Sequence, residues 1–454
     1  MPLFITIAIA KLILRTSRLF GRGGGSALPG LVAERIDPNI GRKLAARLHD
    51  GCIIVTGTNG KTTTAKMIAG ILSDAGEGIV SNRAGSNLSR GIVSALVEHA
   101  SFSGHFSESV GLFEVDEAAM PAVCTMVRPR AIIVLNLFRD QLDRYGELDS
   151  TAQLIGKGIA ATSAQVYLNA DDPRVAGLAS FASADRVTYF GVEGKLKTKL
   201  AHDVTADSST CPVCGKRLVY TQTYFGHIGH YRCREGHFER PVPDYSAENV
   251  ELQPEAVSFT LKSHEPKVQL GLPGLYNVYN ALAAVTFTVH HQGITFAGIT
   301  QSLERIKPAF GRAEKLEVEG RTLHLLLVKN PTGFNQIIQT FLLQEKQQNL
   351  LILINDNFAD GRDVSWLWDV AFEDLQAQHP RIAVSGIRAN DMALRLKYAD
   401  IATELIEPEA TRALNQFIAQ LPAGAIGYII PTYTALLESR RYLSRRTHLK
   451  GVWQ

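Results

Sequence analysis

Val55-Thr56-Gly57-Thr58-Asn59-Gly60-Lys61-Thr62-Thr63-Thr64 follows the apolar run Cys52-Ile53-Ile54-Val55 and precedes a helical pattern through Ala65, Met67-Ile68-Ala69 and Ile71-Leu72. A buried parallel strand, a glycine-bearing turn, a lysine and a helix start form a phosphate-binding arrangement. Amide groups of the turn and of the helix N-terminus face the anion. Gly57 and Gly60 let the backbone approach closely, Lys61 reaches the β- and γ-phosphates, and Thr62 holds Mg²⁺. The remaining loop positions Thr58, Asn59 and Thr63 complete the nucleotide-binding set. The spacing is G-x-x-G-K-T, shorter than the general Walker A loop. The plainer alternative is a glycine-rich turn with an exposed lysine, but strand, turn and helix agree on the nucleotide site.

Outward from this loop, several more strands end in polar clusters. Ile79-Val80 leads to Ser81-Asn82-Arg83-Ala84-Gly85-Ser86-Asn87, a candidate substrate-facing loop. Val110 to Val115 carries Glu114, Asp116 and Glu117 at its end. Continuing that strand puts Glu114 and Asp116 on one face and turns Glu117 away. Hard carboxylate oxygens suit Mg²⁺ bound beside a nucleotide, and Glu114 is the candidate ligand. Ala131 to Leu135 ends in Asn136 to Gly146, and Ala164 to Leu168 ends in Asn169-Ala170-Asp171-Asp172. Strands that alternate with helical segments predict an α/β fold with a parallel, doubly wound sheet.

The length of 454 residues predicts two or three domains. Residues 1–40 read as an N-terminal helix and a Gly-rich segment, 41–315 as the ATP-binding domain, and 316–454 as a smaller α/β domain. Leu3 to Leu14 is too short to span a bilayer, and its arginines follow rather than precede it, which disfavours a signal peptide. A helix packed on the body and an interfacial helix are both open readings. A net charge of +3 leaves no nucleic-acid footprint. The expected location is cytoplasmic, with the inner face of the membrane as a peripheral site.

Residues 205–245 interrupt the α/β pattern with Cys211-x2-Cys214-x18-Cys233. This is a zinc-ribbon spacing with one cysteine missing. His237, or alternatively Glu235, is the candidate fourth ligand, and the role is structural. Asn277 and Asn280 sit one turn apart after Pro273-Gly274, placed for an adenine edge or a phosphate oxygen. Arg312 follows a Pro-containing break, where it reaches back toward phosphate. In the last domain, Asn355 to Trp368 carries Asp356, Asp360 and Asp363 on one loop.

These motifs stand in the order found in Mur ligases, which the chain resembles over about residues 40–440. Within them it is similar to the MurT family, the ligase-like subunits of lipid II isoglutaminyl synthase. The specific markers are Asn136 to Gly146, the cysteine ribbon and Asn355 to Trp368. The resemblance implies a Mur-type central domain with an inserted zinc ribbon and a reaction. ATP phosphorylates the D-glutamate α-carboxylate of the lipid II stem peptide, and ammonia then displaces phosphate to leave D-isoglutamine. Lys61 and Glu114 take catalytic parts, and Asn277 and Asn280 match positions that contact ATP. Lys157 matches the lysine that many Mur ligases carbamylate.

Glutamine hydrolysis needs a nucleophilic cysteine with a histidine. Cys52 lies in a strand and Cys124 in an apolar setting, so that chemistry falls to a partner chain. In the family this is GatD, a class I glutaminase-like subunit, and the resemblance implies that Asp363 completes its Cys-His pair, making a heterodimer. Gln141 and Lys329 replace a histidine and an aspartate of amino-acid-adding Mur ligases, which suits ammonia as acceptor. The competing reading is an amino-acid-adding ligase of the Mur or folylpolyglutamate type. A nucleotide-binding interaction module is the rival from outside the enzymes.

Overall fold

The computed structural model describes residues 2–19, 27–82, 86–139, 148–194, 196, 210–253, 255–262, 264–291, 293–306, 312–343 and 347–446. Strand β1 (Cys52–Thr56) is wholly buried. Its side chains alternate between two cores. Ile53 and Val55 face one with Met67, Ile68, Val278 and Leu282, while Cys52 and Ile54 face the other with Ile92, Val123 and Ile155. Two covered faces explain why the strand reads as an unbroken apolar run.

The other central strands are β2 (Ile79–Ser81), β3 (Val110–Glu114), β4 (Ala131–Val134), β5 (Gln165–Asn169) and β6 (Val187–Val192). A separate hairpin, β7 (Leu218–Phe225) and β8 (Ile228–Cys233), precedes β9 (Tyr245–Leu252), β10 (Val257–Leu261) and β11 (His264–Leu270). The nine-stranded sheet runs β11-β10-β9-β6-β5-β4-β1-β3-β2. It is parallel from β2 to β9, and β9, β10 and β11 add an antiparallel meander. This makes the sheet mixed rather than wholly parallel. The sequence reading missed the meander, because its strands carry polar residues on a half-exposed face. β1 lies between β3 and β4. Chain order reverses there, and α/β sheets bind ligands outside the carboxyl ends of strands at such a point.

The helix Leu3–Leu19 extends beyond the apolar run read from the sequence. It buries Thr6, Ile7 and Ala10 against the second core. This bears out the packed-helix reading, although Phe4 and Leu12 stay exposed. Among the described residues, no helix is long and apolar enough to cross a membrane.

The C-terminal sheet contains β12 (Arg312–Val318), β13 (Arg321–Leu326), β14 (Asn349–Leu353), β15 (Arg381–Ser385), β16 (Thr403–Glu407) and β17 (Ile426–Pro431). Its order is β12-β13-β17-β14-β15-β16. The β12–β13 hairpin is antiparallel and the rest is parallel. The expected strand Leu323 to Val328 ends at Leu326, and an earlier strand, β12, opens the sheet at Arg312. The residues that follow the Pro-containing break therefore form an edge strand of the second sheet.

Candidate active site

Gly60 sits at φ 92° before the helix Lys61–Asp74. This left-handed conformation suits glycine, and a Cβ here would collide with Asn280 Oδ1. Gly57, at φ 124°, lies against the Asn136 backbone. Asn136 is the loop's cradle: its Oδ1 accepts from the Asn59 amide (2.9 Å) and its Nδ2 donates to Asn59 O (3.0 Å). The Thr58 amide donates to Asn136 O (2.9 Å). Thr58 Oγ1 also accepts from the Phe138 amide at 3.0 Å. The helix start then presents its first amides to a bound anion.

Lys61 is 8 % exposed. Its ammonium donates to Gly57 O (2.5 Å) and pairs with Glu117 Oε2 (3.3 Å). Glu117 was expected to turn away from the site. Strand β3 instead stops at Glu114, and Asp116 caps a short 3₁₀ turn by accepting from the Ala118 amide. That turn brings the buried Glu117 side chain back to Lys61. Burial by itself pushes the Glu117 carboxyl up. Lys61 and Lys329 outweigh it and hold the group below the usual carboxylate range.

Thr62 Oγ1 donates to Glu114 Oε2 at 2.8 Å. A hydroxyl and a carboxylate in contact form an all-oxygen pair that fits Mg²⁺. Asn82 brackets the Glu114 backbone: its Oδ1 accepts from the Glu114 amide and its Nδ2 donates to Glu114 O, both at 2.9 Å. Asn82 thus holds the backbone of the candidate metal ligand, and residues 83–85 of its loop lie outside the described residues.

The second domain closes over the loop. Lys329 Nζ donates to Thr58 O (2.9 Å), and Asn330 Nδ2 donates to Asn59 Oδ1 (3.2 Å). Asn277 and Asn280 come together as expected. Asn280 Nδ2 donates to Asn277 Oδ1 (3.1 Å), and Thr64 Oγ1 donates to Asn280 Oδ1 (3.3 Å). A cleft of about 960 Å³, counting space open to solvent, lies between the domains beside Asn59, Gly60, Asn280 and Lys329. Gly311, the Arg312 side chain and Gln141 lie outside the described residues.

The ribbon is built on the β7–β8 hairpin. The Cys211 amide donates to Lys216 O and the Cys233 amide to Phe238 O, each at 2.7 Å, so each cysteine opens a tight turn. The sulfurs of Cys211, Cys214 and Cys233 lie within 4.8 Å of one another, with Cys214 and Cys233 at 3.6 Å. Tetrahedral zinc with bonds of about 2.3 Å sets sulfur atoms roughly 3.8 Å apart, so these thiols fit a metal. Gly236 stands where a fourth cysteine would fall. His237 is exposed, and neither it nor Glu235 joins the sulfur group. Glu235 pairs with Lys216 (2.8 Å).

On the C-terminal loop, Asp356 pairs with Arg388 (2.8 Å) and Asp360 accepts from the Thr434 amide (2.7 Å). Asp363, half-buried, accepts from the Ser365 amide (2.8 Å). Lys157 is exposed on the helix Leu148–Ala160. Burial pushes the Cys52 and Cys124 thiols up to about 12, so neither is a thiolate at neutral pH.

Phosphate loop, carboxylate pair and two-domain cleft define a Mur-type ATP-dependent ligase. Residues 55–288 match the Mur ligase middle domain and residues 327–436 the MurT ligase C-terminal domain. The fold is shared with a pseudomurein peptide ligase type C from Methanothermus fervidus (23% identity, 89% of this chain, 80% of that one, TM-score 0.70). It is also shared with the MurF ligase of Thermotoga maritima in complex with ADP (13% identity, 91% and 85%, TM-score 0.63). Two curated relatives are named lipid II isoglutaminyl synthase (glutamine-hydrolyzing) subunit MurT. The Staphylococcus aureus (strain COL) protein is 33% identical over 97% of both chains, and the Streptococcus pneumoniae (strain ATCC BAA-255 / R6) protein is 34% identical over 93% of both. The chain belongs to the MurT family.

Lys61→Ala removes the buried cation of the glycine-bearing loop. The expected loss of turnover is roughly 100- to 1000-fold, as for removal of one preorganised charge-stabilising group. Steady-state ATP hydrolysis coupled to ligation measures it, and unchanged turnover would contradict the assignment.

Proposed function

We propose that this chain amidates the D-glutamate α-carboxylate of the lipid II stem peptide to D-isoglutamine, in peptidoglycan synthesis. ATP supplies the phosphoryl group that activates the carboxylate, and ammonia displaces phosphate. The loop amides and Lys61 clamp the phosphates, with Arg312 assigned a supporting charge. Asn277 and Asn280 sit at the nucleotide. Thr62 and Glu114 hold Mg²⁺, which neutralises charge on the transferring phosphoryl group. Glu117 keeps the Lys61 ammonium in position until nucleotide arrives.

The observation that carries the choice of ammonia over an amino acid is Lys329. Amino-acid-adding Mur ligases resemble this site but hold an aspartate there. A carboxylate attracts an incoming ammonium group, whereas the Lys329 ammonium on Thr58 O repels one and admits neutral ammonia. Ammonia comes from a GatD-like glutaminase partner in a heterodimer, since burial disables both cysteines outside the ribbon. Asp363 orients the partner's catalytic histidine. Asp363 is assigned by its position in the motif; like Asp360 it accepts from a backbone amide, that of Ser365. The reaction runs on the cytoplasmic side, at the membrane surface where the lipid-linked substrate lies.

Product mass after incubation with ATP, Mg²⁺, lipid II and ammonium or a panel of amino acids tests the reaction. The amide with ammonium is expected, and an amino-acid adduct would contradict it. In the assembled complex, Asp363→Asn should cut glutamine-dependent turnover by about 100-fold or more while sparing ammonia-dependent turnover. Equal loss of both would rule out the orienting role.

The ribbon cysteines hold a structural zinc, with His237, Glu235 or solvent as fourth ligand. Elemental analysis should return about one zinc per chain. A folded, metal-free chain as purified would contradict the site.

A further inference from the structure

The tip of the inserted hairpin reaches the nucleotide cleft. Phe225 and Ile228 line it together with Asn59 and Gly60 of the phosphate loop and Tyr276 and Asn280 of the helix Leu275–Thr288. The knuckle cysteines lie at the hairpin's other end. The insertion is therefore a wall of the site as well as a structural module.

The tip is held firmly. The Phe225 ring stacks on Phe138 (centroids 6.0 Å apart, 29° between planes) and meets the edge of Tyr279 (5.8 Å, 80°). The Gly229 amide donates to Asp171 O and the Tyr231 hydroxyl to Ala170 O, both at 2.9 Å. Tyr220 OH donates to His227 O (2.9 Å), closing the turn on itself. His227 is fully buried with Nε2 3.2 Å from Asp172 Oδ2. That same oxygen accepts from the Leu137 amide at 2.8 Å. Leu137 follows Asn136, the cradle of the phosphate loop. One buried carboxylate thus ties the hairpin tip and the loop to the same point.

A nucleoside triphosphate whose phosphates sit at Asn59, Gly60 and Lys61 must place its base in the rest of this cleft. The aromatic and aliphatic surfaces there suit a planar ring, and a ring fixed in advance binds a base at low entropic cost. We propose that Phe225 and Ile228 form the base-contacting wall of the ATP site, so that the ribbon insertion takes part in nucleotide recognition. This rests on the ATP reading above.

Photolabelling of the full chain with 8-azido-ATP tests it without any substitution. The label that excess ATP competes away should map to the hairpin segment 218–233. Competed label confined to other segments would overturn the proposal. No competed label, with no calorimetric ATP binding either, would overturn the ATP reading itself and is thereby told apart. As a second arm, Phe225→Leu keeps much of the packing volume and removes the ring. Its ATP Kd should rise about tenfold, in line with one lost base–aromatic stack, with tripolyphosphate affinity unchanged. An unchanged ATP Kd, or an equal loss for ATP and tripolyphosphate, would overturn the proposal.

Discussion

The buried ammonium of Lys61 is the constraint on which the site depends. A cation taken out of water needs partners on every side, or its burial costs several kcal/mol, roughly the desolvation penalty of one ion. Gly57 O and Glu117 are among those partners. Meeting them forces three features of the chain. Gly57 must take a backbone conformation that side chains avoid. Strand β3 must end at Glu114 so that a 3₁₀ turn returns Glu117. The second domain must bring Lys329 close enough to act on the Glu117 carboxylate.

A second set of buried charges explains how a foreign-looking insertion belongs to the fold. Asp171 and Asp172, both fully buried, follow β5. Asp171 pairs with Arg240 beyond the ribbon (2.5 Å) and accepts from Tyr279 OH (2.6 Å) and the Val192 amide (2.7 Å). Burial still pushes its carboxyl up against those partners. Asp172 caps the short helix Pro173–Gly177 with one oxygen and reaches His227 and Leu137 with the other. The ribbon is thereby docked through polar contacts that are satisfied only when it sits against the sheet. Such networks fix a single arrangement, because each misplacement strands a buried charge.

Much of this was legible in the residues. The apolar run before Gly57, the turn and the helix start fixed the phosphate loop, since backbone conformation and side-chain chemistry point the same way there. Asn277 and Asn280 were readable as a pair from helical spacing. The cysteine spacing pointed to the three sulfurs that the hairpin brings together. Glu117 was not legible, because its direction depends on where β3 stops, and that is decided by Asp116 capping rather than by any apolar pattern. The β9 to β11 meander and strand β12 escaped because edge and half-exposed strands carry too few apolar residues to show a period. The contact of Phe225 and Ile228 with the cleft is a tertiary fact: nothing local distinguishes a hairpin tip in water from one buried against a sheet. Asp363 came from a motif match, and no local pattern sets it apart from Asp356 and Asp360 on the same loop.

The central claim is that this cleft activates a carboxylate as an acyl phosphate. The direct measurement is transfer of label from a substrate whose D-glutamate α-carboxylate carries ¹⁸O. Amidation with ATP and ammonium should release inorganic phosphate bearing ¹⁸O from that carboxylate, because the bridging oxygen leaves with the phosphoryl group. Amide product with unlabelled phosphate would contradict the account.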